Sequence, residues 1–220
     1  MIVNADHSQV VQINLASLPW TASPTGTEQR LLEHNGLEQA RTTSIVRYSA
    51  GIQFSKHFHE SGEEIFVLEG TLTDEYGTYS AGTYIRNPPG SSHNPSSETG
   101  CTFFLKSGYM QQNDTQRIVI NTSTTSWSPG LIDGLSVMPL SEFQGEHTAL
   151  VRWQPDTYFQ THRHHGGEEI LVLEGTFQDE YGDYPADTWL RSPHMSTHQP
   201  FSKSGCTILV KVGHLDISTK

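Results

Sequence analysis

The hydrophobic residues of this chain lie in short runs that are rich in β-branched and aromatic side chains. In the first half, four such runs alternate with clusters of glycine, proline, asparagine and serine, at residues 44–48, 65–68, 83–86 and 102–105. Runs of this length and spacing are typical of a β-sandwich or barrel. Long apolar stripes with a helical period are missing, and the best helix candidate, residues 28–33, could equally form a strand. The pattern therefore predicts an all-β fold.

The same pattern occurs twice along the chain. Residues 57–65 reappear at 162–170, about 105 residues downstream, and the same shift aligns two Asp-Glu-Tyr-Gly segments, at 74–77 and 179–182. Each of these segments lies between two strand-like runs, as a hairpin turn does. Further upstream, residues 13–20 match residues 120–127 more loosely. A repeat of this length predicts two homologous domains, which we place at residues 1–108 and 109–220.

Composition narrows the classes of partner and compartment. The chain has 24 acidic and 13 basic residues and a formal net charge of −11, which disfavours nucleic acid as a direct partner. No apolar run approaches the roughly 20 residues that span a bilayer. The first residues lack the basic and apolar segments of a signal peptide. Only Cys101 and Cys206 are present, so we expect no disulfide framework and a cytoplasmic location.

The histidines are the candidate functional residues of this chain, as ligands of a metal ion. In an extended strand alternate residues share a face, so His57 and His59 should project side by side, with Glu63 brought next to them by a turn and His93 added from another strand. We expect Glu64 to point the opposite way. An isolated His-x-His is usually structural, but here the whole set recurs at matched spacing. The predicted metal ligands are His57, His59, Glu63 and His93 in the first half and His162, His164, Glu168 and His198 in the second. Three imidazoles and a carboxylate suit iron, manganese, nickel, copper or zinc.

At these residues the chain resembles the cupin superfamily. The first cupin motif is matched by Gly51, His57, His59, Glu63 and Gly70, and the second by Gly82, Pro88, Gly90 and His93, with Ser97 in place of the final Asn. In the second half, Asp156, Asp187, Met195 and Ser202 replace expected Gly and Asn residues, which puts its loop geometry in doubt. The resemblance implies two tandem cupin barrels, each a double-stranded β-helix or jelly roll with a metal near its centre: a bicupin.

A narrower resemblance is to the cupin domain of ChrR-type anti-sigma factors. It rests on the repeated segments Gly-Glu-Glu-Ile-x-Val-Leu-Glu-Gly-Thr and Asp-Glu-Tyr-Gly-x-Tyr and on Arg-x-Pro before the last ligand histidine. In that family the matched residues hold zinc, and the cupin half serves the response to singlet oxygen. The family's separate N-terminal anti-sigma domain has no counterpart before Trp20, so we expect a duplicated sensor-like half.

Two functions follow as hypotheses. The first is a metal-binding sensory or regulatory bicupin with a protein partner in transcription regulation. The second is a mononuclear non-haem dioxygenase that acts on a small molecule. The donor set is the same for both: tetrahedral zinc held by four side chains leaves no position for substrate, whereas octahedral iron or manganese leaves two. We expect one divalent metal per domain, with zinc as the first expectation and iron, manganese or nickel as alternatives, and a homodimer as one assembly to test.

Overall fold

The regular structure of this protein is almost entirely β-strand. The computed structural model describes residues 1–23, 26–37 and 41–215, and within them the single helical segment is a 3₁₀ helix, Leu15–Ser17. The strands are β1 (Val11–Asn14), β2 (Thr21–Ala22), β3 (Thr27–His34), β4 (Thr42–Tyr48), β5 (Ile52–Gln53), β6 (His57–His59), β7 (Glu63–Asp74), β8 (Gly77–Ser80), β9 (Thr83–Asn87), β10 (Ser91–His93), β11 (Ser96–Ser97), β12 (Cys101–Ser107), β13 (Ile118–Asn121), β14 (Ser128–Pro129), β15 (Leu135–Phe143), β16 (Glu146–Trp153), β17 (Thr157–Tyr158), β18 (His162–Arg163), β19 (Glu168–Asp179), β20 (Gly182–Pro185), β21 (Thr188–Ser192), β22 (Thr197–His198), β23 (Phe201–Ser202) and β24 (Cys206–Val212). The all-β expectation is confirmed, and residues 28–33 lie in strand β3.

The chain divides into two compact units. Unit 1 consists of Met1–Ala5 and Leu18–Thr125, and unit 2 of Asp6–Ser17 and the chain from Ser126 onward. Strand β1 belongs to unit 2 because it pairs antiparallel with β21, and β13 belongs to unit 1 because it pairs with β9. Each unit thus includes the first strand of the other sequence repeat, which differs from the division predicted at residues 108 and 109.

Both units have the same sheet topology. The main antiparallel sheet of unit 1 has the order β13-β9-β7-β12-β4-β3-β2, and that of unit 2 has the order β1-β21-β19-β24-β16-β15-β14. A separate two-stranded sheet accompanies each, formed by β6 and β10 in unit 1 and by β18 and β22 in unit 2. Both Asp-Glu-Tyr-Gly segments form the predicted hairpin turns, between β7 and β8 and between β19 and β20.

Alternation along the strands places one set of side chains in the core of each unit. In β7, Ile65 and Val67 point into that core while Glu64 lies on the opposite face, as a period of two requires. The unit 1 core contains Val46, Ile65, Val67, Leu72, Tyr79, Ile85, Cys101 and Phe103. The unit 2 core contains Trp153, Ile170, Val172, Phe177, Tyr184, Leu190, Cys206 and Ile208. Both cysteines are buried free thiols, in agreement with the absence of a disulfide framework.

The loops of unit 2 keep their geometry despite the loss of glycines. In unit 1 three glycines of the cupin motifs adopt a positive φ, a region that costs other residues about 1–2 kcal/mol. The residues that replace them in unit 2 adopt the same conformation. The pairs are Gly51 (φ 80°) and Asp156 (57°), Gly82 (81°) and Asp187 (64°), and Gly90 (78°) and Met195 (66°). The doubt about these loops is therefore removed: Asp tolerates this region better than most residues, and at Met195 the surrounding structure imposes the turn on an unfavourable residue.

Candidate metal centres

Three histidines of unit 1 meet across the small sheet of β6 and β10. The antiparallel register sets His93 opposite His57, and His59 lies two residues further along β6 on the same face. The ring centroids are 4.8 Å apart for His57 and His59, 5.0 Å for His57 and His93, and 4.8 Å for His59 and His93. One ring nitrogen from each lies within 4.8 Å of the other two, a geometry that could hold a metal ion.

Glu63 joins this cluster from the start of β7. Its Oε1 lies 3.3 Å from Nε2 of both His59 and His93. The carboxylate is 5% exposed, and the side-chain amide of Asn87, which lies opposite it on β9, donates a hydrogen bond of 2.8 Å to the same oxygen. Because the amide donates to one lone pair only, this oxygen keeps a lone pair for a cation bound beside the histidines.

Two imidazoles of unit 1 are fixed through their Nδ1 atoms. His57 Nδ1 lies 3.2 Å from the carbonyl oxygen of Ser55, and His93 Nδ1 lies 3.2 Å from Oδ2 of Asp74. A carbonyl and a carboxylate accept hydrogen bonds, so in the neutral imidazoles both Nδ1 atoms carry the proton and each Nε2 keeps its lone pair. The Tyr79 hydroxyl holds the other oxygen of Asp74 at 2.7 Å. Similar outer contacts orient the histidines of known metal sites.

Unit 2 repeats the triad. His162 lies opposite His198 in the pair β18 and β22, and the ring centroid of His164 is 4.5 Å from that of His162 and 4.9 Å from that of His198. Nε2 of His164 lies 3.0 Å from Nε2 of His198. The three rings again offer nitrogen atoms within 4.8 Å of one another.

The anchors of this second triad are also equivalent. His162 Nδ1 lies 3.1 Å from the carbonyl oxygen of Gln160, and His198 Nδ1 lies 3.2 Å from Oδ2 of Asp179. The hydroxyl of Tyr184 donates to Asp179 at 2.8 Å. Both triads therefore use the same combination of backbone carbonyl, aspartate and tyrosine.

The carboxylates of the two clusters differ in their surroundings. Oε2 of Glu168 lies 3.6 Å from Nε2 of both His164 and His198. The residue opposite Glu168 on β21 is Ser192, where unit 1 has Asn87. Burial raises the pKa of Glu168 to about 7, so its charged form gains from a nearby cation.

Burial also sets the charge of the central histidines. It lowers the pKa of His164 to about 3, with the neighbouring His198 and His162 adding to the effect. Burial lowers the pKa of His59 as well, and the Glu63 charge offsets only part of this. Both imidazoles are therefore neutral at pH 7, which is the form that binds a metal.

The residues present fit a divalent transition metal. Nε2 of His59 is buried, and among the described residues none forms a hydrogen bond with it, although Glu63 lies 3.3 Å away. A cation between the nitrogens and the carboxylate would use this lone pair and offset the cost of burying it. Three imidazoles and one carboxylate suit first-row metals from manganese to zinc.

The structure brings all eight predicted ligands together in two groups of four, although metal ligation itself stays a prediction. Glu64 lies outside the cluster, as expected: Tyr84 and Arg86 donate to it at 3.2 and 3.4 Å. The anchors Asp74 and Asp179 were not predicted from the sequence. Their recurrence within Asp-Glu-Tyr-Gly was the available signal, but a turn motif alone did not show that one carboxylate oxygen reaches a histidine.

Each cluster opens into a cavity. The cavity of unit 1 has a volume of about 560 Å³ and that of unit 2 about 480 Å³. These volumes lie within the range of about 300–1,000 Å³ that is usual for small-molecule sites. The clusters are therefore within reach of a ligand rather than sealed in the core.

Two β-units of identical topology, each with a histidine triad and a glutamate inside its sheets, define a protein of the cupin class with two cupin repeats. A family model described as the ChrR cupin-like domain matches residues 8–111 and again residues 115–216. The chain belongs to this family. The cupin and jelly-roll expectation is thereby confirmed.

Solved structures agree on the fold. A protein from Nostoc punctiforme described as a candidate dioxygenase is 15% identical with a TM-score of 0.79, over 97% of this chain and 85% of that one. Ylba from E. coli is 17% identical with a TM-score of 0.71, over 99% and 96% of the two chains. Oxalate decarboxylase from Lactobacillus farciminis is 12% identical with a TM-score of 0.65, over 94% and 87%. At these identities the likeness shows the fold alone.

Two further findings complete the comparison. No curated protein sequence matches the chain significantly. None of the helical segments in the described part of the chain has the length and apolar character that crossing a bilayer requires.

Proposed function

We propose that each unit binds one divalent transition-metal ion through three histidines and one glutamate. The supporting observation is the common orientation of the imidazoles: in each triad two Nδ1 atoms are held by acceptors, and nitrogens of all three rings lie within 4.8 Å. This arrangement leaves the Nε2 lone pairs for a cation. The same donor set accepts zinc, which is the first expectation from the sequence, nickel, and iron or manganese, which a dioxygenase function requires.

We propose further that these centres act on small organic molecules, as a metal-dependent dioxygenase in which both atoms of dioxygen pass to the substrate. The support is the cavity beside each cluster, since a structural metal site is closed by its own ligands and needs no ligand cavity. A bound iron or manganese ion would supply Lewis acidity and one-electron chemistry. The chain's own contribution is to hold two histidines of each triad in one tautomer, to place the carboxylate next to them, and to line the cavity in part with apolar residues.

A sensory role in the response to oxidants such as singlet oxygen is the second candidate. It is favoured by membership of the ChrR cupin-like family. Under this hypothesis zinc fills both sites with four side-chain ligands, and a change at the centre is transmitted to a protein partner in transcription regulation.

Dioxygen consumption separates the two candidates. Protein loaded separately with iron, manganese or zinc is supplied with small β-diketones and thiols while dissolved oxygen is recorded. The enzyme hypothesis predicts substrate-dependent uptake with iron or manganese, and loss of uptake in a His59→Ala, His164→Ala double variant. His7→Ala, outside both clusters, is the matched control and should keep the uptake. Absence of uptake with every metal, combined with zinc in the protein as purified, would reject the enzyme and favour the sensor.

A further inference from the structure

The cavities of the two units differ in the polarity of one wall. Strand β3 contributes Thr27 and Gln29 to the cavity of unit 1, whereas β15 contributes Leu135 and Val137 to that of unit 2. Each pair occupies the same positions on equivalent strands, because β3 and β15 pair in the same register with β4 and β16. Two polar side chains in one unit are thus replaced by two aliphatic ones in the other.

A third difference lies directly opposite the glutamates. Ser107 ends β12 and is paired in register with Glu63, while Val212 ends β24 and is paired with Glu168. Both residues line their cavities. Apolar residues at matched positions also line both cavities, with Phe54 and Leu105 in unit 1 matched by Phe159 and Val210 in unit 2. The polar-to-aliphatic changes therefore extend an apolar surface across the cavity of unit 2.

Each cavity also has a basic residue in its lining. Arg163, which follows His162 in β18, lines the cavity of unit 2, and Lys56 lines that of unit 1, where its ammonium nitrogen lies 3.4 Å from Oε1 of Glu75. A guanidinium group attracts carboxylates, which it can bind with two parallel hydrogen bonds. The unit 2 cavity thus combines an aliphatic wall, a basic side chain and the histidine cluster.

We propose that unit 2 binds a small carboxylate with an apolar body, and that unit 1 selects a more polar ligand. The carboxylate lies toward the histidine cluster, and the apolar body contacts Leu135, Val137 and Val212. This inference rests on the proposed function only for the metal contact of the carboxylate, because the aliphatic wall is a property of the chain itself.

Calorimetric titration with butanoate, hexanoate and octanoate tests this assignment, both with zinc-loaded protein and with protein kept in a chelator. Each buried methylene is expected to tighten binding by about fourfold, in both conditions. The Leu135→Thr, Val137→Gln variant, which has the unit 1 residues, should bind octanoate on the order of tenfold more weakly. The reciprocal Thr27→Leu, Gln29→Val variant should gain a second site that shows the same dependence on chain length.

The outcomes distinguish this inference from the proposed function. If the chain-length dependence survives in chelator and is reduced in the Leu135→Thr, Val137→Gln variant, the apolar site stands even if zinc adds nothing to affinity. If zinc binds but affinity is the same for the three carboxylates, the inference is overturned while the metal centres stand. Equal octanoate affinity in the wild type and in the folded Leu135→Thr, Val137→Gln variant also overturns the inference. The second octanoate site expected in the Thr27→Leu, Gln29→Val variant is a separate test, which does not depend on whether the Leu135→Thr, Val137→Gln variant folds.

Discussion

Met195 offers a direct test of how the fold of unit 2 imposes its turns. This residue has a φ of 66° and is 44% exposed, and its backbone N–H donates a hydrogen bond of 2.8 Å to the carbonyl oxygen of His164. In unit 1 Gly90 makes the same hydrogen bond, also 2.8 Å, to the carbonyl oxygen of His59. Each turn is thus tied to the backbone of a triad histidine, and this hydrogen bond helps to hold Met195 in a conformation that favours glycine.

The expected change for Met195→Gly follows from two opposing contributions. Relief of the left-handed conformation is worth about 1–2 kcal/mol. The greater backbone entropy of an unfolded glycine costs about 0.5–1 kcal/mol. Since the side chain is nearly half exposed, little packing is lost, and the net gain in unfolding free energy should be about 0.5–1 kcal/mol. Gly90→Ala should lose a similar amount: an added Cβ at Gly90 meets no atom within 4 Å, so the same two contributions act there with opposite sign.

Urea denaturation in the presence of a chelator measures both changes without a contribution from metal binding. Unit 2 should unfold at a higher urea midpoint in Met195→Gly, and unit 1 at a lower midpoint in Gly90→Ala, each with an unchanged slope. A destabilised Met195→Gly, or a Gly90→Ala variant as stable as the wild type, would refute the claim that the sheet forces these turns.

Three other predictions concern the clusters and a buried thiol. Asn87→Ala removes the donor to Glu63 and should weaken metal binding in unit 1 by about tenfold. Ser192→Ala should leave the metal affinity of unit 2 unchanged, since no hydrogen bond joins Ser192 to Glu168 in the described chain. Competition with a fluorescent chelator measures the metal affinity of both variants. Asp179→Asn weakens the anchor of His198 and should cost about 10–100-fold in unit 2 affinity, measured by zinc titration; unchanged affinity would contradict that role. Burial raises the pKa of Cys206 to about 11, so the thiolate fraction is about a thousandth at pH 8. Iodoacetamide should therefore modify Cys206 slowly in the native protein and faster as the pH approaches 11, as followed by mass spectrometry; rapid labelling at pH 7 would contradict this.

Sequence patterns were sufficient for four strands of unit 1 and for the composition of the clusters. Short runs of β-branched and aromatic residues identified β4, β7, β9 and β12, and the repeated spacing of histidines and glutamates identified eight residues that the structure brings together in two groups. Both signals are local, since strand alternation and a turn of three residues fix where His57, His59 and Glu63 lie relative to one another.

The sequence did not predict which strands and side chains meet over a long distance along the chain. The membership of β1 in unit 2 depends on a backbone ladder with β21, some 180 residues away, and any unpaired sheet edge offers a similar ladder. The anchoring of His93 by Asp74 has the same origin, because the hairpin tip reaches the cluster only after the sheet has formed. Residues 28–33 remained ambiguous for a different reason: their apolar pattern is too short to separate a helix from a strand.

The metal content of the protein tests the central claim most directly. Elemental analysis of natively expressed protein, counted per chain, should give two divalent transition-metal ions, falling to about one in His59→Ala and about one in His164→Ala, with His7→Ala unchanged. A stoichiometry near zero in protein purified without chelator, or one that neither histidine substitution alters, would contradict the assignment of the two clusters as metal centres.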